Sequence, residues 1–243
     1  PARPSVALPR ATDFNEILTM DLKIWKGQYI LYMIDLFSRF TIATVISRKK
    51  PANVIDAVFK YWITYFGTPG KVMTDNGGEF TGEEMREVTS VLNVYKDTTA
   101  AEAPWQNGLN ERNHALADNI LKQVMRDFPE LDLKTALAWA CSAKNSLTTV
   151  YGYSPYQLVY GKNPKLPNVI NDQPPAWTTK PKSEILIKHL NALHSTREAF
   201  IKAEKSVLGV DFFLINSVPV MATAYLTQNF HVKEIPQSQR QIL

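Results

Sequence analysis

The sequence predicts an α/β fold, a five-stranded mixed sheet flanked by helices with a helical C-terminal extension. Short runs rich in β-branched and aromatic residues crowd its first hundred positions. Longer segments with apolar residues at helical spacing come next. The order, strands first, then a strand–helix alternation, then helices, is that of a sheet covered by helices. With 45% hydrophobic and 21% charged residues among 243, the chain can bury an ordinary globular core.

Residues 1–16 are Pro-rich without periodicity and read as a linker arm. Strands are expected at Ile17–Leu22, which carries Asp21, at Tyr29–Leu36 and at Phe40–Ser47, with Asp35–Arg39 as a hairpin turn. Pro51 opens a helix to about Phe66, with Val54, Ile55, Val58, Phe59, Trp62 and Ile63 on its apolar face. Gly67–Gly70 ends it. Strand Lys71–Thr74 then delivers Asp75 to a turn, Asn76-Gly77-Gly78. A short helix (Gly82–Val91), a fifth strand (Val94–Thr99) and a loop around Pro104 follow, then helices over Asn107–Arg126 and Leu133–Leu147. In the first of these, Leu109, Leu116, Ile120 and Val124 form an apolar stripe widened by Ala117 and Leu121; the opposite face carries Asn107, Asn110, Glu111, His114 and Asp118.

The character changes past residue 150. Residues 151–175 form a Tyr/Gly/Pro-rich extension closing on Pro174-Pro175. Residues 176–206 hold a charged amphipathic helix whose expected spine is Ile187, Leu190 and Leu193. The tail, 207–243, has no assigned structure. Its apolar stretch Val207–Phe230 is broken by Asp211, Asn216 and Pro219, against the roughly 20 uninterrupted apolar residues of a membrane span, so no membrane partner is expected.

The net charge of +4 permits a nucleic-acid partner without demanding one. Residues 1–179 carry 19 basic and 18 acidic side chains, whereas 180–206 carry 6 and 3. One cysteine, Cys141, excludes an internal disulfide and a multi-thiolate zinc site; its apolar helical setting reads as a buried structural thiol. No secretory signal pattern is visible, and the chain opens on Pro1, as a piece of a longer product would.

Three acids stand where chemistry could use them. Asp21 lies near the end of the first strand, Asp75 ends the fourth, and Glu111 sits in the first turns of a long helix. Two hard cations about 4 Å apart need oxygen ligands to clamp the entering and leaving oxygens of a phosphodiester displacement. A lone acid is more often a solvated group or a cap, and Asp13, Asp35, Glu79, Glu83 and Asp97 keep that reading. Asn-Gly is also a hairpin signal, so Asp75 alone leaves both readings open.

The wider motif decides between them. Thr74-Asp-Asn-Gly-Gly-Glu-Phe80 resembles the T-D-N-G-x-E-F motif of retroviral and retrotransposon integrases. Pro104-Trp-Gln-Asn-Gly-Leu-Asn-Glu-Arg-Asn113 resembles their P-x-x-N-G-x-x-E-R-x-N segment, and thirty-five residues separate Asp75 from Glu111, the family's spacing. Thr19-Met-Asp21 with Tyr32–Phe40 is similar to the first two strands of that core, and Gly152–Pro164 resembles the segment after it in gypsy-type elements.

The resemblance covers roughly residues 15–168 and implies an RNase H-like catalytic core over 17–150. It implies Mg²⁺ or Mn²⁺, two ions, held by Asp21, Asp75 and Glu111. By the same implication, DNA ends are trimmed by water and the new 3′-hydroxyl then attacks target DNA, in a homo-oligomer acting in the nucleus. Asn107 and Gly108 precede the catalytic helix; the resemblance makes them active-site or DNA-proximal, and the alternative is that Asn107 simply caps the helix N-terminus. Arg112, His114 and Lys122 are DNA-proximal candidates, though solvated residues are the commoner case on a helix; Trp105 could stack on a base or pack its loop. A single cysteine cannot supply the zinc module often found beside this core, and the tail does not read as a basic strand-rich DNA-binding domain. A domesticated binding module that keeps the fold without chemistry is the alternative, and a ribonuclease H ranks below it.

Overall fold

The computed structural model describes residues 11–98, 117–164 and 183–208. Five strands, β1 (Ile17–Trp25), β2 (Gln28–Asp35), β3 (Thr41–Ile46), β4 (Lys71–Thr74) and β5 (Tyr95–Thr98), form one sheet in the order β3-β2-β1-β4-β5. The β1–β2 and β2–β3 pairs are antiparallel, while β1–β4 and β4–β5 are parallel. The expected mixed sheet is therefore the observed one.

Strand β1 runs three residues past its expected end. Trp25 pairs with Gln28 across a two-residue hairpin in which Lys26 and Gly27 have φ of 45° and 80°. Both positive angles suit the twist of a two-residue hairpin, but lysine gives no hint of it in the sequence.

Helix α1 (Pro51–Val58) starts with proline at its first turn, where the fixed φ suits a helix and no N–H is missed. It continues through a wide turn, Phe59–Ile63, into α2 (Thr64–Phe66). There the Thr64 hydroxyl donates to the Phe59 carbonyl at 2.7 Å, and Gly67, at φ 76°, ends the run. Next come α3 (Gly78–Thr81), α4 (Glu83–Val91), α5 (residues 117–127), α6 (Leu133–Leu147), α7 (Pro155–Tyr160) and α8 (Glu184–Leu208). The start expected for α5, at Asn107, lies outside the described residues.

The sheet is buried on both faces, which is why β2 reads as continuously apolar rather than alternating. On one side Leu18, Met20, Leu31, Met33 and Val72 pack with Val54, Trp62, Phe80 and Met85 of α1, its continuation, α3 and α4. On the other, Ile30 and Tyr32 pack with Ile120, Leu121 and Val124 of α5, Leu137 of α6 and Phe200 of α8.

Asp132 caps α6, accepting from the Thr135 backbone N–H at 2.9 Å, and that bond leads the causes holding its carboxyl down to about 2. Asp132→Ala should cost about 1 kcal/mol, read by chemical denaturation. Of the expected spine of helix α8, Leu193 is buried, but the buried face turns away from Ile187 and Leu190. Ala192, Leu193, Ser195, Thr196, Ala199 and Phe200 are buried, whereas Ile187 and Leu190 are half-buried. Small residues let α8 lie close on α6, a packing reason that hydrophobicity alone does not reveal.

The end of the expected linker arm is packed. Phe14 meets Trp62 and Phe66 ring to ring, and the Asn15 amide donates to the Phe66 carbonyl at 3.0 Å. Residues 1–10 and 209–243 lie outside the described residues.

Candidate active site

Strand pairing brings the first two acids together. In the parallel β1–β4 pair, Ile17 faces Lys71, Leu18 faces Val72 and Thr19 faces Met73. The same offset carried two residues further would set Asp75, the residue that follows β4, opposite Asp21. Alternation along the strands fixes their face as well. Leu18, Met20 and Val72 serve the α1-side core, so Asp21 and Asp75 belong to the opposite face, the one α5 covers. Asp21 is half-buried and Asp75 exposed.

Asp75 is fixed by its own turn, where Oδ1 accepts the Gly77 N–H at 3.0 Å. The Asn76-Gly77 pair makes no hairpin, since Gly77 has φ −59° and leads straight into α3. The Glu79 carboxylate lies against Gly77, where a Cβ would sit 2.7 Å from one of its oxygens. That Glu79 is buried, 3% exposed, and paired with Lys49 at 3.2 Å, with Oε2 lacking a hydrogen-bond partner among the described residues. Glu79 is thus not the solvated group expected from sequence; it props the loop that carries Asp75.

Asp35 also departs from that expectation, at 0% exposure. Its carboxylate accepts the Ser38 N–H and hydroxyl, each at 2.6 Å, and the Asn15 N–H at 2.9 Å. Burial raises its pKa while those bonds oppose the shift, and the group serves as the staple of the β2–β3 turn. Asp97 sits on β5 with Lys71 at 2.7 Å and is partly exposed.

A second polar cluster borders Asp21. Tyr32, its cross-strand partner on β2, donates its hydroxyl to Asp118 Oδ1 at 3.3 Å, and Lys23 Nζ donates to Asp118 Oδ2 at 2.8 Å. Burial, with the negative charges of Asp118 and Asp21 adding to it, pushes the Tyr32 phenol far up, so it stays a donor. Sequence reasoning placed Asp118 on the polar face of α5 but gave it no role, because its partners lie on strands ninety positions earlier.

Glu111, Asn107, Gly108, Arg112 and His114 lie outside the described residues; Lys122 is exposed on α5. Among the described residues no group of three or more His, Cys, Asp or Glu side chains is gathered for a metal. Asp21 and Asp75 both offer hard carboxylate oxygens, donors of the kind that suits Mg²⁺ or Mn²⁺.

Comparison with known proteins agrees with this frame. Residues 11–104 match the integrase core domain family. The Gag-Pol polyprotein of avian reticuloendotheliosis virus is 30% identical over 76% of this chain, and the Pol polyprotein of transposon 412 from Drosophila melanogaster is 25% identical over 60%. The chain spans 16% and 12% of those two polyproteins. An intasome structure from simian T-cell lymphotropic virus matches with a TM-score of 0.58 at 25% identity, covering 65% of this chain and 59% of that one. The HTLV-2 integrase catalytic core domain in complex with magnesium matches at 0.54 and 22% identity, covering 63% of this chain and all of the other. Over residues 11–104 in sequence, and in fold, the chain resembles the integrase core domains of retroviruses and of transposon 412.

Proposed function

We propose that the chain is a metal-dependent polynucleotidyl transferase that processes the 3′ ends of element DNA and joins them to target DNA in the nucleus. The observation that supports this reading is the parallel β1–β4 pairing, which makes neighbours of the strand that carries Asp21 and the strand that Asp75 follows. Glu111 supplies the third acid.

Two bound divalent cations would stabilise the entering and leaving oxygens of an in-line displacement. The chain's own part is to hold them. Asp21 offers a carboxylate from a strand fixed on both sides, and Asp75 offers one whose turn is tied by Gly77 and propped by Glu79. The nucleophile is water in trimming and a DNA 3′-hydroxyl in joining, so no covalent enzyme intermediate is needed. The HTLV-2 core is known in dimeric and trimeric forms, and self-association is proposed here too.

A strand-transfer assay with Mn²⁺ and labelled duplex ends tests the reading. Metal-dependent nicking or joining is expected, and a folded chain that does neither under any divalent metal contradicts it.

DNA binding by this chain should be weak and strongly salt-dependent. Phosphate contacts by cations dominate non-specific affinity, and this chain ties up many of its cations. Lys188 pairs with Asp132 at 3.1 Å, Lys202 with Glu198 at 3.7 Å, and Arg197 is half-buried. Affinity should fall steeply between about 50 and 200 mM salt; tight binding that ignores salt would count against it.

A further inference from the structure

We infer that Arg39, Phe37, Tyr151 and Tyr153 form a binding surface for an unpaired DNA strand, the guanidinium taking a phosphate and an exposed tyrosine ring stacking on a base. The surface stands apart from Asp21 and Asp75. It sits where β1 begins, since the Leu36 N–H donates to the Ile17 carbonyl at 2.9 Å, whereas Asp75 follows the far end of the parallel strand β4. The inference shares with the proposed function only DNA as the partner, and it uses none of the three acids.

Two tight turns build the surface. Arg39 closes the β2–β3 turn with φ 64°. Tyr151 and Gly152 are the central pair of a second turn, in which Val150 and Tyr153 exchange backbone hydrogen bonds of 2.7 and 3.0 Å. Their φ values are 53° and 86°. Positive φ at both central positions marks the turn that favours Asn-Gly, and a bulky residue there is strained. Packing does not explain Tyr151, which is 65% exposed, and Tyr153 beside it is 58% exposed. The two turns meet: the Phe37 and Tyr151 ring centroids lie 6.2 Å apart, and Tyr151 acts electrostatically on Arg39. Strained residues of this kind cluster at ligand clamps, where the surrounding fold holds them for use.

The charge of this surface calls for an anion. Arg39 is half-buried, and burial pulls its pKa down; Tyr151 and Asp35 oppose that pull through charge alone, with no hydrogen bond to the guanidinium. The Asp35 oxygens accept from Ser38 and Asn15 instead. Behind Arg39, the enclosed Lys144 ammonium donates to the Arg39 carbonyl at 3.1 Å and adds a second positive charge. Residues 36–47 and 148–164, which supply the two turns, contain no Asp or Glu. A half-buried charge without a contacting partner costs free energy, and an arginine fork matches phosphate with two parallel N–H bonds. Exposed aromatic faces stack on any base, which favours unpaired nucleotides over a duplex whose bases are already stacked.

Fluorescence anisotropy of a labelled oligothymidine strand with the full chain, at low salt and with EDTA present, tests the surface without metal chemistry. Tyr151→Asn suits the positive φ, so it should fold as the parent does and weaken binding by about tenfold, the loss of one stacked base. Tyr151→Phe keeps the ring and should bind like the parent. Arg39→Asn, also suited to its φ, should lower the salt slope of binding by about 0.7, the share of one phosphate contact on a single strand. Tyr95→Ser removes a tyrosine 66% exposed on β5 and should change nothing. No binding by the parent, parent affinity in Tyr151→Asn, or equal losses from Tyr95→Ser and Tyr151→Asn would each overturn the surface. Displacement of the strand by polyglutamate as readily as by unlabelled oligothymidine would overturn it too, by making it a site for an acidic protein segment. Metal-dependent joining by a chain whose strand binding ignores Tyr151 removes this surface and leaves the proposed function standing. Strand binding that needs Tyr151, in a chain that neither nicks nor joins DNA, supports the surface and counts against the proposed function alone.

Discussion

Asp75→Asn and Glu111→Gln should each abolish metal-dependent DNA cleavage and joining while leaving the fold and DNA binding nearly intact. Each change keeps size and most hydrogen bonding but removes the charge that holds a cation. At position 75 the replacement is especially clean, because an asparagine oxygen can still accept from Gly77 N–H and keep the turn. The loss should exceed about 100-fold, since even the outer partners of metal ligands cost about 10–100-fold. Stability could rise, because clustered carboxylates repel one another when no metal is bound. Asp97→Asn is the control. Asp97 sits one strand further out, and its partly exposed pair with Lys71 is worth at most about 1 kcal/mol. Gel assays of labelled duplex, run beside a DNA-binding titration, read both effects. Parent-level cleavage by Asp75→Asn would remove Asp75 from the chemistry.

What the sequence revealed and concealed divides along local against tertiary information. Strand runs, the Pro51 helix start, the Gly67 stop and the Leu133–Leu147 helix are written in nearest neighbours, and each stands close to its expected place. The grouping of Asp21 with Asp75 is expected through motif resemblance alone; the register of β1 on β4 depends on how a parallel strand docks about fifty residues away. Burial of Asp35 and Glu79 was illegible, since an acid's surroundings are set by distant partners, Asn15 for one and Lys49 for the other. The Lys26-Gly27 hairpin was missed because lysine at positive φ carries no signal, and the α8 face because serine, threonine and alanine can be a packing surface. Hydrophobic periodicity finds faces that are greasy. It does not find faces that are small.

Stability near pH 9 should be set by two buried groups of α6 that pull in opposite directions. The Lys144 ammonium is fully enclosed, donating to the Thr41 hydroxyl at 2.6 Å and the Arg39 carbonyl at 3.1 Å. Burial, with the Arg39 charge adding to it and nearby Cys141 opposing, pulls its pKa down to about 8. The Cys141 thiol one turn earlier is pushed by burial up to about 11, against the pull of Lys144. For Lys144 the unfolded chain holds its proton longer than the folded one, so stability rises with pH from about 8 until the unfolded lysine titrates near 10.4. For Cys141 the folded chain holds the proton longer, so stability falls as pH rises from about 8.5 toward 11. At about 1.4 kcal/mol per pKa unit, going from pH 8 to 10 should add about 2 kcal/mol through Lys144 and remove about 2 kcal/mol through Cys141. The two should therefore nearly cancel in the parent over that span, while Cys141→Ala should gain about 2 kcal/mol and Lys144→Met should lose about 2 kcal/mol. Urea denaturation at the two pH values reads the differences, and the slopes are unaffected by any pH-independent cost of either replacement. A Lys144→Met chain with the parent's pH dependence would mean that the ammonium is not titrating from the buried site between β3 and α6.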